Sequence, residues 1–403
     1  MKILDGLGIT AVKGVSAAGI NCGIKPSGKK DMALIYSEVP FKVAAAFTDN
    51  SIVAAPVTYS KKLLRDHDEF QALLINSGNA NACTGDKGYN DAVEMSEFTS
   101  KKLGLDSSTL IASTGLIGET LPMEKVRQGI ESVADNLRPN GGSDAAEAIM
   151  TTDAFTKEMA VELKISDTVV RIGAMAKGAG MIAPRLVSHA TMIAAVATDA
   201  DISSGALSKA LSEGIKTSFN RSSVDGDTST NDSVFLLANS SAKNPKIESG
   251  EDLQLFLNAV TFIMTELTKM IIKDGEGATK LISYNIKGAK NDDEAALIGM
   301  SLVNSLLVKT MFFGADPNWG RIIAAAGASA PGIELKNTSV YFKDQLVAKD
   351  GLGIEFDQEK VGAILSAPEI ELTLEVGQGK GVATCYGCDL NHEYVRINAE
   401  YTT

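Results

Sequence analysis

The spacing of hydrophobic and polar positions changes repeatedly along the chain. Short apolar runs at residues 32–36 and 41–47 predict two strands, and Leu73-Leu74-Ile75 predicts a buried one, stopped by Asn76-Ser77-Gly78-Asn79. Helical spacing follows from about Asn90 to Lys102. Leu110-Ile111-Ala112 then reads as a short strand ended by Ser113-Thr114-Gly115. Pro122 opens a helix with Val126, Ile130 and Val133 on one face. Alternation over residues 159–165 and 169–172, across Ser166-Asp167-Thr168, predicts a hairpin. A buried strand at 192–197 and a helix at 202–219 come next. Residues 253–273 form a long amphipathic helix, and 294–309 a further one capped by Asn291-Asp292-Asp293. Strand alternation returns at 339–342 and 371–374. Interleaved strands and helices of this kind indicate an α/β or α+β protein.

Composition narrows the chemistry more than the fold. The 403 residues suffice for two to three domains and a large core. Lys and Arg number 38 against 50 Asp and Glu, a net charge of −12, which disfavours nucleic acid and anionic membrane as partners. The first residues lack the charged segment and apolar run of a signal peptide, and no uninterrupted apolar stretch suggests a membrane span, so a cytoplasmic location is expected. Four cysteines are too few for a disulfide framework. Cys385-x-x-Cys388 has zinc-knuckle spacing without a second ligand pair, and reads as two structural thiols rather than a metal site. Lys177-Gly178-Ala179-Gly180 lacks the remainder of a phosphate-binding loop and reads as a turn. With only His67, His189 and His392, a histidine-based triad has little to draw on.

One junction offers chemistry that needs no histidine. In His189-Ala190-Thr191-Met192-Ile193, a small residue precedes a threonine that opens an apolar strand. A hydroxyl is a weak nucleophile, but the α-amine of its own residue activates it if chain cleavage makes that residue the first. An α-amine has a pKa of about 7.7–8.0, near working pH, and so can serve as the base. By spacing alone, most Ala-Thr pairs are ordinary.

Ordered motifs over the whole length change the weight of that junction. They include Ala54-Ala55-Pro56-Val57, the run from Asn76 to Gly85, Ser113-Thr114-Gly115-Leu116-Ile117-Gly118 and Thr151-Thr152-Asp153. They continue with Lys177-Gly178-Ala179-Gly180-Met181-Ile182-Ala183-Pro184, Ala190-Thr191-Met192, the run from Asp225 to Asp232, Asp316-Pro317-Asn318-Trp319-Gly320-Arg321 and the closing Tyr394 to Thr403. In these the chain resembles the ornithine acetyltransferases (glutamate N-acetyltransferases) of arginine biosynthesis.

The resemblance implies a two-domain α/β terminal-nucleophile fold, with stacked sheets flanked by helices. Domains are expected at 1–280 and 281–403. Self-cleavage between Ala190 and Thr191 would give chains 1–190 and 191–403, which associate as a heterotetramer of two each. Thr191 would be the nucleophile, taking acetyl from N-acetylornithine and passing it to glutamate. Acetyl-CoA as a further donor stays open. Thr114 and Gly115 would form the oxyanion hole. Thr151 (favoured over Thr152), Lys177, Thr191, Glu276, Asn398 and Thr403 would contact substrate, with no cofactor and no metal. A lysine suits the shared α-carboxylate and Glu276 a cationic amine. One departure stands out: Arg185-Leu186-Val187-Ser188-His189, between Pro184 and Ala190, is longer than the family's usual junction. The alternative is an aminopeptidase or amidohydrolase of the same fold, which passes the acyl group to water.

Overall fold

A computed structural model describes residues 1–184, 192–330 and 332–400. Two mixed sheets organise the chain. The larger has nine strands, in the order Lys2–Ile3, Lys157–Ile165, Thr168–Lys177, Ile193–Thr198, Ser233–Ala238, Met32–Phe47, Glu69–Asn79 and Leu110–Leu116, with Val15–Ile20 pairing Met32–Phe47 off this path. The smaller has seven: Leu352–Gly353, Gln345–Lys349, Ser339–Phe342, Glu369–Glu375, Leu281–Ala289, Gly381–Cys388 and Ser222–Ser223.

The central strands of the first sheet are buried on both faces, which is why they read as unbroken apolar runs. Ile193–Thr198 and Ser233–Ala238 are buried at every position. Their side chains divide by the period of two. Ala194, Val196, Val234 and Leu236 face one core. Ile193, Ala195, Phe235 and Leu237 face the other. The first core is closed by helices Ser204–Thr217 and Gly250–Lys273, and it also takes in Leu281, Tyr386 and Cys388 of the second sheet. Gly250–Lys273 is therefore packed between the sheets, with Ser204–Thr217 alongside it on the larger one. Gly250–Lys273 is long and apolar enough to cross a membrane, and it spends that apolar face on the interior: Phe256, Val260, Ile263, Met264 and Leu267 have no exposed surface or almost none. Phe256→Ala is expected to cost about 3–5 kcal/mol, read as a lower denaturant midpoint at unchanged slope.

Three local outcomes differ from the expectations. Residues 32–36 and 41–47 belong to one strand, Met32–Phe47, whose pairing with Glu69–Asn79 becomes irregular between Tyr36 and Phe41. Pro40 falls in that irregularity, where its missing N–H costs the ladder nothing. The single helix expected at 294–309 is two, Asp292–Asn304 and Leu306–Phe313, bent by 61°. Ser305 stands at the break and its Oγ caps the second helix by accepting from the Val308 amide at 3.4 Å. The hairpin of Lys157–Ile165 and Thr168–Lys177 turns on Ser166 and Asp167 alone, since Thr168 already pairs with Ile165.

Candidate active site

The ends of several strands of the larger sheet meet at one rim. Glu69–Asn79 and Leu110–Leu116 run parallel, pairing Asn76 with Ser113 and Gly78 with Gly115. Thr168–Lys177 ends beside the start of Ile193–Thr198, with Lys177 opposite Ile193. The cavity at this rim is lined by Thr114, Gly115, Thr151, Thr152, Lys177, Glu276 and Asn398, together with Met192, Ile193 and residues 229–232. Six of the residues singled out in the sequence thus converge from segments far apart in the chain. Ala190, Thr191 and the junction 185–189 lie outside the described residues, as does Thr403.

Gly115 is confined by its neighbours. Its φ is +130°, and a Cβ there would lie 2.4 Å from the Gly78 carbonyl carbon and 2.6 Å from the Asn79 nitrogen. Only glycine fits where these two strand ends cross. Asn231, itself buried, donates from Nδ2 to the Ala80 carbonyl (2.5 Å) and the Ser113 carbonyl (2.8 Å), fixing the approach to Thr114. Ser113 Oγ donates to Asn76 Oδ1 at 2.6 Å. The segment from Asn76 onwards thus supports the rim, and residues 229–232 line it directly. The resemblance gives 225–232 no catalytic role, and a run of small polar residues has no periodicity to place it.

Lys177 Nζ donates to Thr114 Oγ1 at 3.2 Å. Burial pushes its ammonium below the ordinary lysine range, the charge of Asp153 opposes that shift, and Lys157 adds to it. A buried cation beside a hydroxyl and open to a polar cavity suits an anionic group of a small ligand. Glu276, also lining the cavity, accepts from Asn398 Nδ2 at 2.9 Å. Asn398 is delivered by helix His392–Glu400, whose approach is held by Asn391 Nδ2 donating to the Gly277 carbonyl at 2.7 Å. Helix His392–Glu400 therefore lies against the rim. Gly180 lies under the Glu276 carboxylate; a Cβ there would come within 2.5 Å of it. Asp225 accepts the amides of Met181 (2.7 Å) and Ile182 (2.9 Å), with Met181 held at φ +54°.

The cysteine pair has no part in this cavity. Cys385 and Cys388 are buried on Gly381–Cys388, and burial raises the Cys385 thiol to about 12. That is the behaviour of packed thiols, not of reactive ones.

Residues 16–403 match the ArgJ family. The chain belongs to the ArgJ family. It is 44% identical over 400 residues to the arginine biosynthesis bifunctional protein ArgJ of Symbiobacterium thermophilum, covering 98% of each chain. It is 43% identical over 414 residues to the glutamate N-acetyltransferase of Methanocaldococcus jannaschii, covering each completely. Among solved structures, it is similar to an ornithine acetyltransferase complexed with ornithine from Mycobacterium tuberculosis (41% identity, TM-score 0.42, 46% of this chain and 98% of that one). Membership makes the chain an acetyltransferase of arginine biosynthesis.

Proposed function

We propose that the chain cuts itself between Ala190 and Thr191, and that the freed Thr191 carries an acetyl group from N-acetylornithine to glutamate. The observation that supports this most is the convergence of Thr114, Gly115, Thr151, Lys177, Glu276 and Asn398 on the cavity that Met192 also lines. In the first step the Thr191 α-amine takes the hydroxyl proton and Oγ attacks the acetyl carbonyl. Thr114 and Gly115 donate to the resulting oxyanion. The tetrahedral adduct collapses, the α-nitrogen of ornithine leaves with that proton, and an acetyl ester remains on Thr191. In the second step the glutamate α-amine attacks the ester carbonyl. Its proton returns to the Thr191 oxygen, and N-acetylglutamate departs. The ester keeps the acetyl group transferable, so the cycle needs no cofactor.

Substrate would be held at both ends. Lys177 takes the α-carboxylate that donor and acceptor share. Glu276 takes the side-chain ammonium of N-acetylornithine, and Thr151, Asn398 and Thr403 orient the backbone by hydrogen bonds. Glu276→Gln is expected to raise KM for N-acetylornithine about ten- to a hundredfold, with kcat changed less, in a steady-state assay. The chains 1–190 and 191–403 would stay packed after cleavage, because Ile193–Thr198 pairs with Thr168–Lys177 and Ser233–Ala238 with Met32–Phe47 across the cut. A tetramer of two such pairs, domains at 1–280 and 281–403, and a cytoplasmic location belong to the same reading.

The partition of acetyl tests it against the hydrolytic alternative. With N-acetylornithine and glutamate present, N-acetylglutamate should form in step with ornithine. Release of acetate at the same rate with and without glutamate would make the chain an amidohydrolase. Acetyl-CoA in place of N-acetylornithine tests the second donor in the same assay.

A further inference from the structure

Behind the cavity lies a group of buried charges with no role in the cycle above. The Lys157 and Asp153 side chains have no exposure, and that of Asp274 is 4% exposed. Lys157 Nζ donates to Asp153 Oδ1 at 2.7 Å and to Asp274 Oδ2 at 2.5 Å. Each carboxylate also holds backbone. Asp153 accepts the Thr151 amide (2.8 Å) and the Gly178 amide (2.7 Å), the latter next to Lys177. Asp274 accepts the Ala154 amide at 3.0 Å and stands two residues before Glu276.

We propose that Lys157 is a positioning residue of the acetyl-transfer site, a single buried ammonium that locks together the three segments carrying Thr151, Lys177 and Glu276. The inference rests on the function proposed above. Stability alone does not explain such a triad. Taking three charges out of water is costly, and well-packed apolar replacements are often as stable or more so. What the triad supplies is geometry: each segment is held by its backbone amides or by its neighbour, independently of any bound ligand.

The electrostatics run the same way. Burial alone would raise the Asp153 carboxyl, but the ammoniums of Lys177 and Lys157 overcome it and hold the group below the usual carboxylate range. Asp153 is faced by Lys157, Lys177, Asp274 and, from the loop before Met32–Phe47, Lys25. Lys177 in turn is faced by Glu276 and Asp232. Without Lys157, two carboxylates share a dry site and one of them takes up a proton at higher pH. The proton neutralises a carboxylate that holds the Thr151 and Gly178 amides or the Ala154 amide, so the grip on those segments weakens as the pH falls.

The test compares wild type, Lys157→Met, Asp274→Asn and the double variant in the transfer assay across pH. Lys157→Met is expected to raise KM for N-acetylornithine roughly tenfold to a hundredfold, and to move the acid limb of kcat/KM to higher pH. In the double variant the acid limb should return towards wild type while KM stays raised, because the repulsion is gone but the bridge is not restored. Asp274→Asn preserves volume and the Lys157–Asp153 pair; it should raise KM several-fold with the limb in place, and it decides the matter if Lys157→Met does not fold. Wild-type KM and acid limb in a folded Lys157→Met chain overturn the proposal, and so does an unchanged KM in Asp274→Asn. A chain that only melts at lower temperature, with KM intact, reduces the triad to a structural element. If wild type itself transfers no acetyl, the proposed function fails and this inference goes with it, an outcome distinct from a variant that behaves like an active wild type.

Discussion

A Thr191→Ala chain is expected to remain in one piece and to lose acetyl transfer by on the order of 10⁴-fold or more. Alanine keeps the backbone and removes the oxygen on which the proposed mechanism places the acetyl group. In this mechanism the same hydroxyl is needed to open the Ala190–Thr191 bond, so both losses should appear together. Thr191→Ser keeps a hydroxyl and should keep both reactions at reduced rate. The two are followed by the mass of the purified chain and by N-acetylglutamate formation. An uncut Thr191→Ala chain with full transfer activity would require a different nucleophile.

Gly115→Ala should be the most damaging single change among the described residues of the site. Two effects combine there. A φ of +130° is a region that side chains rarely adopt, costing about 1–3 kcal/mol. The added Cβ would also collide with backbone of Gly78 and Asn79 that cannot swing away. The strand end must shift, and with it the donors that Thr114 and Gly115 would aim at the oxyanion. A kcat lower by on the order of 10²–10³-fold is expected, with KM changed much less, since the donors act on the transition state. Gly118→Ala is the matching control. Its φ of +91° carries the same backbone strain, but open space surrounds the added methyl, so kcat should stay near wild type.

How much of this was legible in the sequence differs between fold and site. The central strands announced themselves, because a strand buried on both faces must be apolar throughout, as Ile193–Thr198 is. Helix Gly250–Lys273 was equally plain from its spacing. The break at Ser305 was not, since an apolar helical period continues across it and only the cap reveals two helices. Met32–Phe47 reads as two strands because the apolar runs at 32–36 and 41–47 are separated by Ser37-Glu38-Val39-Pro40, a gap that the structure absorbs as an irregular pairing.

Residues lining the cavity were legible where the family resemblance carried them. Thr114, Gly115, Lys177 and Glu276 were named from resemblance, and spacing alone would have left Lys177-Gly178-Ala179-Gly180 as a turn. Lys157, Asp274 and Asn231 were missed for a physical reason. A lysine on an alternating strand looks like a solvated position until its partners are known, and Asp274 comes from the far end of a helix more than a hundred residues away. Asn231 sits in a polar run whose only signal is composition, yet its amide ties two strand ends together. Long-range pairing of buried polar groups leaves no trace in local period.

The most direct test of the central claim is the mass of each fragment after the purified protein is incubated with N-acetylornithine alone. The expected result is two fragments, the second beginning at Thr191 and carrying one acetyl group, which disappears when glutamate is added and reappears as N-acetylglutamate. A chain that transfers acetyl at full rate with neither a new terminus at Thr191 nor an acetylated fragment would contradict it.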